Sequence, residues 1–255
     1  MSTERPGRDI DSDLLAGRRP PSARARLDRA TILEAAAAFI AEEGLAGLTM
    51  RRLGSSLGVE AMSLYRYVPG KEELLDGVVE LLVDRMRVDE DVLDHPDFGW
   101  QDFLQRLAHG VRRVALANPK AFPLVASRPA EAPWLRPPLR SLSWVESFLA
   151  GLVGEGFSPE AAVRAYRAFT SFLLGHLLLE VAGHGADLGP LDVLDDGAAD
   201  DDATRAYPMV HSLQESLSLD YAAQEFEESL ENLLDRIALL RSEDRAEQGD
   251  GTAQR

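Results

Sequence analysis

The sequence predicts an all-α protein, a three-helix helix-turn-helix head followed by a larger helical body. Apolar residues recur at helical spacing through most of the 255 residues, and no segment alternates convincingly as a strand. Between Leu48 and Lys71, in the stretch LTMRRLGSSLGVEAMSLYRYVPGK, two short helices meet at a glycine turn. Thr49 is a good N-cap, Leu53 and Leu57 share one face, and Gly54 between them leaves room for a neighbouring helix. Gly58 supplies the left-handed bend and Val59 closes the corner. A second helix from Glu60 buries Leu64 and Val68 and turns Ala61, Met62, Ser63, Arg66 and part of Tyr67 outward. That outward face has the dimensions and chemistry to enter a DNA major groove. The competing reading is an ordinary αα-hairpin within an all-helical core.

The elements follow in order. Residues 1–27 combine Pro6, Pro20 and Pro21 with Gly, Ser, Asp and Arg and show no apolar period, so a disordered arm is expected. Its Arg18, Arg19, Arg24 and Arg26 either follow a DNA backbone or belong to a solvated tail. A first helix from near Asp28 to Glu43 carries the stripe Ile32, Leu33, Ala36, Phe39 and Ile40 and stops at Gly44. The expected head core is Ile32, Phe39, Ile40, Leu45, Leu48, Leu53, Leu57 and Leu64. Pro69-Gly70 then turns the chain, and Lys71 opens a helix to about Arg87 bearing Leu74, Leu75, Val78, Val79, Leu82 and Met86. Its first amides and the Lys71 charge favour a phosphate oxygen, and its far end reaches the body, which makes it a lever between the two parts. The boundaries expected are 28–73 for the DNA-binding domain and 74–241 for the body.

Within the body, residues 88–99 read as an acidic loop and Trp100 to Asn118 as a helix on Phe103, Leu104, Leu107, Val111 and Val114. A short helix over 119–126 ends at Ser127-Arg128-Pro129. Another covers roughly 133–154 with Leu139, Leu142, Val145, Phe148, Leu149 and Leu152 inward. Ser158 and Pro159 begin the most apolar helix, which runs to about Gly183 and must be covered on two sides. Residues 184–205 are rich in aspartate and read as a mobile loop; they lack the ligand spacing of a calcium loop, so a solvated acidic run is preferred. Tyr207 to Leu217 reads as a short helix, 220–241 as a long one, and 242–255 as a disordered tail. Paired across a twofold axis, the 158–183 and 220–241 helices would form a four-helix interface, so a homodimer is expected.

Composition limits the function classes. The formal charge of −16 opposes phosphate binding, but residues 18–71 hold nine basic against five acidic side chains, a local balance of +4 on an otherwise acidic chain. There is no cysteine, hence no disulfide framework and no thiolate chemistry. No secretory apolar region stands near the start, and the longest apolar run, 172–183, contains His176 and Glu180 and is too short for a bilayer. A cytoplasmic protein without membrane contact is expected. No Gly-x-Ser-x-Gly, phosphate loop, HExxH or dinucleotide fingerprint occurs, so no catalytic residue, metal or cofactor is assigned.

The head block resembles the TetR family of bacterial transcription regulators through Gly44, Leu48-Thr49, Arg51, Leu53, Leu57-Gly58-Val59, Leu64-Tyr65, Tyr67-Val68, Lys71 and Leu74-Leu75. The segments FGWQDFLQRLAHGVRRVALANP, Ser127-Arg128-Pro129, Gly156-Phe157-Ser158 and DYAAQEFEESLENLLDRI are similar to the C-terminal domain of its tetracycline-repressor branch. The resemblance implies that Arg51 contacts a base, that Tyr65 and Lys71 contact phosphates, and that Ala61, Met62, Ser63 and Arg66 line the base-reading face, with Thr49 and Tyr67 beside them. It also implies a ligand-responsive repressor whose two recognition helices occupy successive major grooves of operator DNA, an activator or a helical interaction protein being the alternatives. Tetracycline repressors hold a magnesium chelate through a histidine four residues before the matched arginine, and Leu124 stands there, which cannot ligate magnesium. A more apolar effector is expected, in a pocket drawn from His109, Arg113, Leu124, Trp134, Trp144, Phe148, Tyr166, Phe169, Phe172 and His176. Each aromatic residue also fits an ordinary core position, and His176 also fits a satisfied interface histidine.

Overall fold

The computed structural model describes residues 27–88, 96, 98–128, 135, 142–187 and 206–252, which are helical and contain no strand. The head consists of α1 (Arg29–Glu43), α2 (Met50–Ser56) and α3 (Ala61–Leu64), and α4 (Lys71–Val88) leads into the body. The body comprises α5 (Trp100–Ala117), α6 (Pro123–Ser127), α7 (Leu142–Gly154), α8 (Pro159–Gly183), α9 (Pro208–Leu217) and α10 (Ala222–Thr252). No helix among the described residues is long and apolar enough to cross a membrane.

Local chemistry fixes the head. Asp28 accepts from the Thr31 amide at 2.8 Å to cap α1, and Thr49 accepts from the Arg52 amide at 3.2 Å to cap α2. Gly44 ends α1 at φ +77° and Gly58 makes the inter-helix turn at φ +67°, the left-handed region that a side chain disfavours. A Cβ at Gly54 would lie 2.9 Å from the Val59 carbonyl oxygen and 3.2 Å from the Ala61 nitrogen, so α2 meets the start of α3 backbone to backbone. Gly77 marks a second close approach, where a Cβ would come within 2.5 Å of Leu33 Cδ2 at the crossing of α1 and α4. The recognition helix is shorter than its sequence suggests. The Tyr67 and Val68 amides both return to the Leu64 carbonyl, and Pro69 bars Val68 from continuing the helix.

Ile32, Ile40, Leu48, Leu53 and Leu64 are fully buried as expected, and Met50 joins them. Phe39, Leu45 and Leu57 are only partly buried, which corrects their placement in the core. Phe39 keeps a wet edge because the Arg52 guanidinium lies 5.0 Å over its ring. Each fully buried leucine or isoleucine contributes about 2 kcal/mol. The Arg29–Glu80 pair at 3.0 Å has both side chains 47% exposed, and such a pair contributes at most about 1 kcal/mol. Packing therefore decides the stability of the head.

α4 packs on α1 from Gly77 to Arg85 and also on α5 and α6. Arg128, just past α6, is largely buried and donates to Glu72 Oε2 at 2.5 Å and to the Glu72 carbonyl at 2.6 Å, with Asp76 Oδ1 3.0 Å from its Nε. Lys120 reaches the Glu42 carbonyl at the end of α1 at 2.8 Å, and Arg85 on α4 pairs with Glu34 at 2.5 Å. The body thus grips both the start of the lever and the helix that covers it.

Several boundaries move. α6 starts at Pro123, because the Ala121 and Phe122 amides turn back onto the Asn118 carbonyl and residues 119–122 form a turn. α7 starts at Leu142, which is 40% exposed instead of inward; Leu135 is buried but outside any helix, and Leu139 lies outside the described residues. α8 is capped by Ser158, which accepts from the Ala161 amide at 3.0 Å. One face of α8 is covered by its own chain, whereas Val163 and Leu179 on other sides are exposed. α9 buries no residue in its own chain. α10 continues to Thr252, past the start of the tail expected at 242–255, since the run from Ser242 to Gln248 contains no helix breaker. The arm 1–26, the acidic loop 188–205 and most of 88–99 lie outside the described residues.

Candidate functional site

Two arginines, adjacent in sequence, separate at the head surface. Arg52 donates to the Gly47 carbonyl at 2.8 Å, pairs with Glu43 and covers Phe39, so its charge is committed to joining α1 and α2. Arg51, one residue earlier, projects to solvent and makes no ion pair among the described residues, and Arg66 and Lys71 do likewise. Met62 is 74% exposed between them, and Tyr65 and Tyr67 present half-open rings on the following turn. Ala61 and Ser63 are half-buried, and the backbone of Ala61 is pressed against Gly54, so the outward face narrows to Met62 and Arg66 with the two tyrosines. Thr49 spends its hydroxyl on the α2 cap. Lys71 opens α4 beside Glu72, whose carboxylate is taken up by Arg128. The result is a compact cationic and aromatic surface suited to a polyanion.

The second site is a narrow apolar cavity, partly open to solvent, between α4, α5, α6, α7 and α8. Trp144, Phe148, Tyr166 and Phe169 line it, as the sequence suggests. Phe148 packs against Tyr166 at 5.6 Å and Phe169 at 5.5 Å between ring centroids. Val83 and Met86 of the lever also line it, as does Thr170, none of which the sequence reading assigned. A period of apolar residues on α4 reports burial, not which neighbour covers them. Tyr166 is buried and hydrogen-bonds Thr170; burial drives its phenol up from 10.0 to about 12, with the Thr170 bond pulling the other way. It is a neutral donor at physiological pH.

The remaining candidates are elsewhere. His109, Phe172 and His176 surround Phe226 of α10 at 5.8, 5.9 and 5.3 Å, a cluster separate from the cavity wall. Arg112 lies 5.0 Å over the same ring and donates from Nε and Nη2 to the buried Glu180 at 3.0 and 2.5 Å. His109, Phe172 and His176, three of the expected pocket residues, stand outside the wall of this cavity, because α10 inserts Phe226 between them. Leu124 is buried in α6 beside Val125 but is absent from the wall, Arg113 is exposed, and Trp134 lies outside the described residues. Among the described residues no three His, Asp or Glu side chains gather as a metal site.

Comparison with known proteins agrees with this division into head and body. Residues 32–78 match the family described as bacterial regulatory proteins, tetR family, and residues 94–240 match the tetracyclin repressor-like, C-terminal domain. The tetracycline repressor protein class D of Escherichia coli is 31% identical over 212 residues, 82% of this chain and 88% of that protein. The HTH-type transcriptional repressor DrrR1 of Streptomyces coeruleorubidus is 42% identical over 121 residues, 46% of this chain and 43% of that one. The crystal structure of a possible TetR family transcriptional regulator from Streptomyces coelicolor A3(2) superposes with a TM-score of 0.65 at 30% identity, covering 84% of this chain and 100% of that one. The glycine-set turn of the head and the matches through both head and body lead to one conclusion: the chain belongs to the TetR family of bacterial regulatory proteins.

Proposed function

We propose that this protein is a homodimeric, non-catalytic repressor of the cytoplasm that binds operator DNA through the α2–α3 face and leaves it when an apolar effector fills the α4–α8 cavity. The observation that carries the proposal is α4 itself. One helix presents Lys71 beside the recognition face and Val83 and Met86 to the cavity, so its position is felt at both sites. An effector that packs best with α4 displaced lowers operator affinity by the difference in its binding energy between the two positions.

Arg51 and Arg66 read base edges in this scheme, and Tyr65 and Lys71 hold phosphates. The exposed Val163 and Leu179 on α8 and Leu239 on α10 are covered by a second copy, giving the twofold spacing that operator half-sites require. The cavity is enclosed on most sides, and its walls are apolar apart from the Tyr166 and Thr170 hydroxyls, which suits an apolar ligand with one or two polar groups. Class D and DrrR1 carry the name repressor, which supports the same sign of regulation here. Leu124 opposes a magnesium chelate as the effector.

Fluorescence anisotropy with DNA from beside the protein's own gene, against an unrelated duplex and at two salt concentrations, tests the reading. Selective, salt-sensitive binding by a dimer, released by apolar compounds that quench Trp144, is the expected result. Binding that fails to distinguish any genomic fragment from random DNA would remove the repressor.

A further inference from the structure

An open cleft lies at the opposite end of the body and is lined by Trp100, Gln101, Ala238, Arg241 and Ser242. It shares no residue with the α4–α8 cavity. Asn118, at the other end of α5, is within 3.4 Å of Arg85 near the head, and at the helical rise Trp100 is about 27 Å from it.

The chemistry of this cleft is one-sided. Trp100 is 1% exposed, yet its Nε1–H has no acceptor among the described residues, and an indole nitrogen can only donate. The Nε of Arg241 is likewise buried without an acceptor. Both groups are held in place. The Trp100 ring meets Phe157 edge-on at 5.3 Å, the Arg241 guanidinium lies 5.6 Å over Phe157, and Arg241 Nη2 donates to the Glu155 carbonyl at 2.5 Å. α5 begins at the same place behind Gly99, which offers no side-chain cap, so its first amides and the positive end of its dipole add to the donor set. The acid in that turn, Asp102, is already engaged by Arg106 at 2.8 Å. A buried donor without an acceptor costs free energy unless a partner arrives, and here two such donors, one of them charged, belong to residues that line one cleft.

We propose that this cleft binds a small oxyanion, a carboxylate or phosphate group, through Trp100 Nε1–H, the Arg241 guanidinium and the first amides of α5. The site is independent of operator and effector binding. Its occupant would tie the start of α5 to α10 and to the α7–α8 turn.

The sequence holds three tryptophans, so protein labelled with ¹⁵N-tryptophan gives three indole N–H signals. Sodium phosphate and sodium acetate are titrated separately, with sodium chloride keeping the ionic strength constant. The signal absent from Trp100→Phe should move and saturate with at least one anion, and the anion that saturates it identifies the group. Arg241→Gln should weaken that half-saturation by about tenfold or more. A Trp100 signal unmoved by either anion, or moved equally in Arg241→Gln, would overturn the site. So would a drift of all three signals in proportion to concentration. If Arg241→Gln does not fold, the melting temperature decides: it rises with the active anion in the parent and stays fixed in Trp100→Phe, whereas an equal rise in both sinks the proposal.

Discussion

In the head, a methyl group added at Gly54 would meet the Val59 carbonyl oxygen at 2.9 Å; in the body, one added at Gly175 on the most apolar helix would meet nothing within 4 Å. The two regions are both helical, but one is specified by backbone against backbone and the other by side chains filling space. Backbone contacts admit few residue types, so the α2–α3 crossing tolerates little change at Gly54. Side-chain packing accepts many combinations of similar volume, which leaves the cavity walls free to suit different effectors.

The sharpest test of that contrast is Gly54→Val. A carbonyl cannot rotate aside as a side chain does, so the α2–α3 crossing must open, with an expected loss of about 3 kcal/mol and of all operator binding. Urea unfolding and anisotropy together measure it, and a stable, DNA-binding variant would show that the crossing is not close. Next comes the body's own point of low tolerance, Arg112→Ala, which leaves Glu180 only 4% exposed with His176 Nε2 4.0 Å away as its remaining partner, at a cost of about 3 kcal/mol. The double variant Arg112→Met, Glu180→Leu should recover most of that stability by denaturant titration, because the pair is needed only while one charge remains.

The head's two arginines separate reading from building. Arg51→Ala should weaken operator binding by about tenfold to a hundredfold with the unfolding midpoint unchanged. Arg52→Ala should lower stability by about 1 kcal/mol, since the Gly47 and Phe39 contacts are lost, and should affect binding less. Equal effects on both properties in both variants would erase the distinction.

The same contrast explains what the sequence disclosed. Gly54, Gly58 and the Thr49 cap are visible because each meets a demand only a few residue types satisfy, and the structure uses them for those demands. Ile32, Leu53 and Leu64 were legible from period alone. The cavity was half legible: Trp144, Phe148, Tyr166 and Phe169 line it, but His109, Phe172 and His176 gather on Phe226, a residue 50 positions along the chain from the nearest of them, His176. Helical period says that a face is covered and not which helix covers it, so Val83, Met86 and the role of α10 emerge only from tertiary packing. The length of α3 was lost for a different reason. Its residues are acceptable helix formers, and the stop comes from Pro69 acting on Val68 and from both following amides sharing the Leu64 carbonyl.

The last test concerns the pair of hydroxyls in the cavity, Tyr166 and Thr170, which bond each other on α8. Tyr166→Phe keeps the ring, loses the Thr170 bond and should cost about 1 kcal/mol at neutral pH. Its signature is in the alkaline range. The folded phenol is raised to about 12 by burial, above the 10.0 of the free side chain, so the folded protein retains a proton that the unfolded chain has released. This contribution is complete below pH 10 and is lost as pH rises from 10 toward 12, which makes the parent more sensitive to alkali than Tyr166→Phe. Phenolate absorbance should show one tyrosine ionising near 12 in the parent and none there in the variant. An apolar effector packed over the ring would hold the phenol neutral to still higher pH. Release of operator DNA and suppression of that titration should therefore follow the same dose of effector, which ties the least specified part of the molecule to the most specified one.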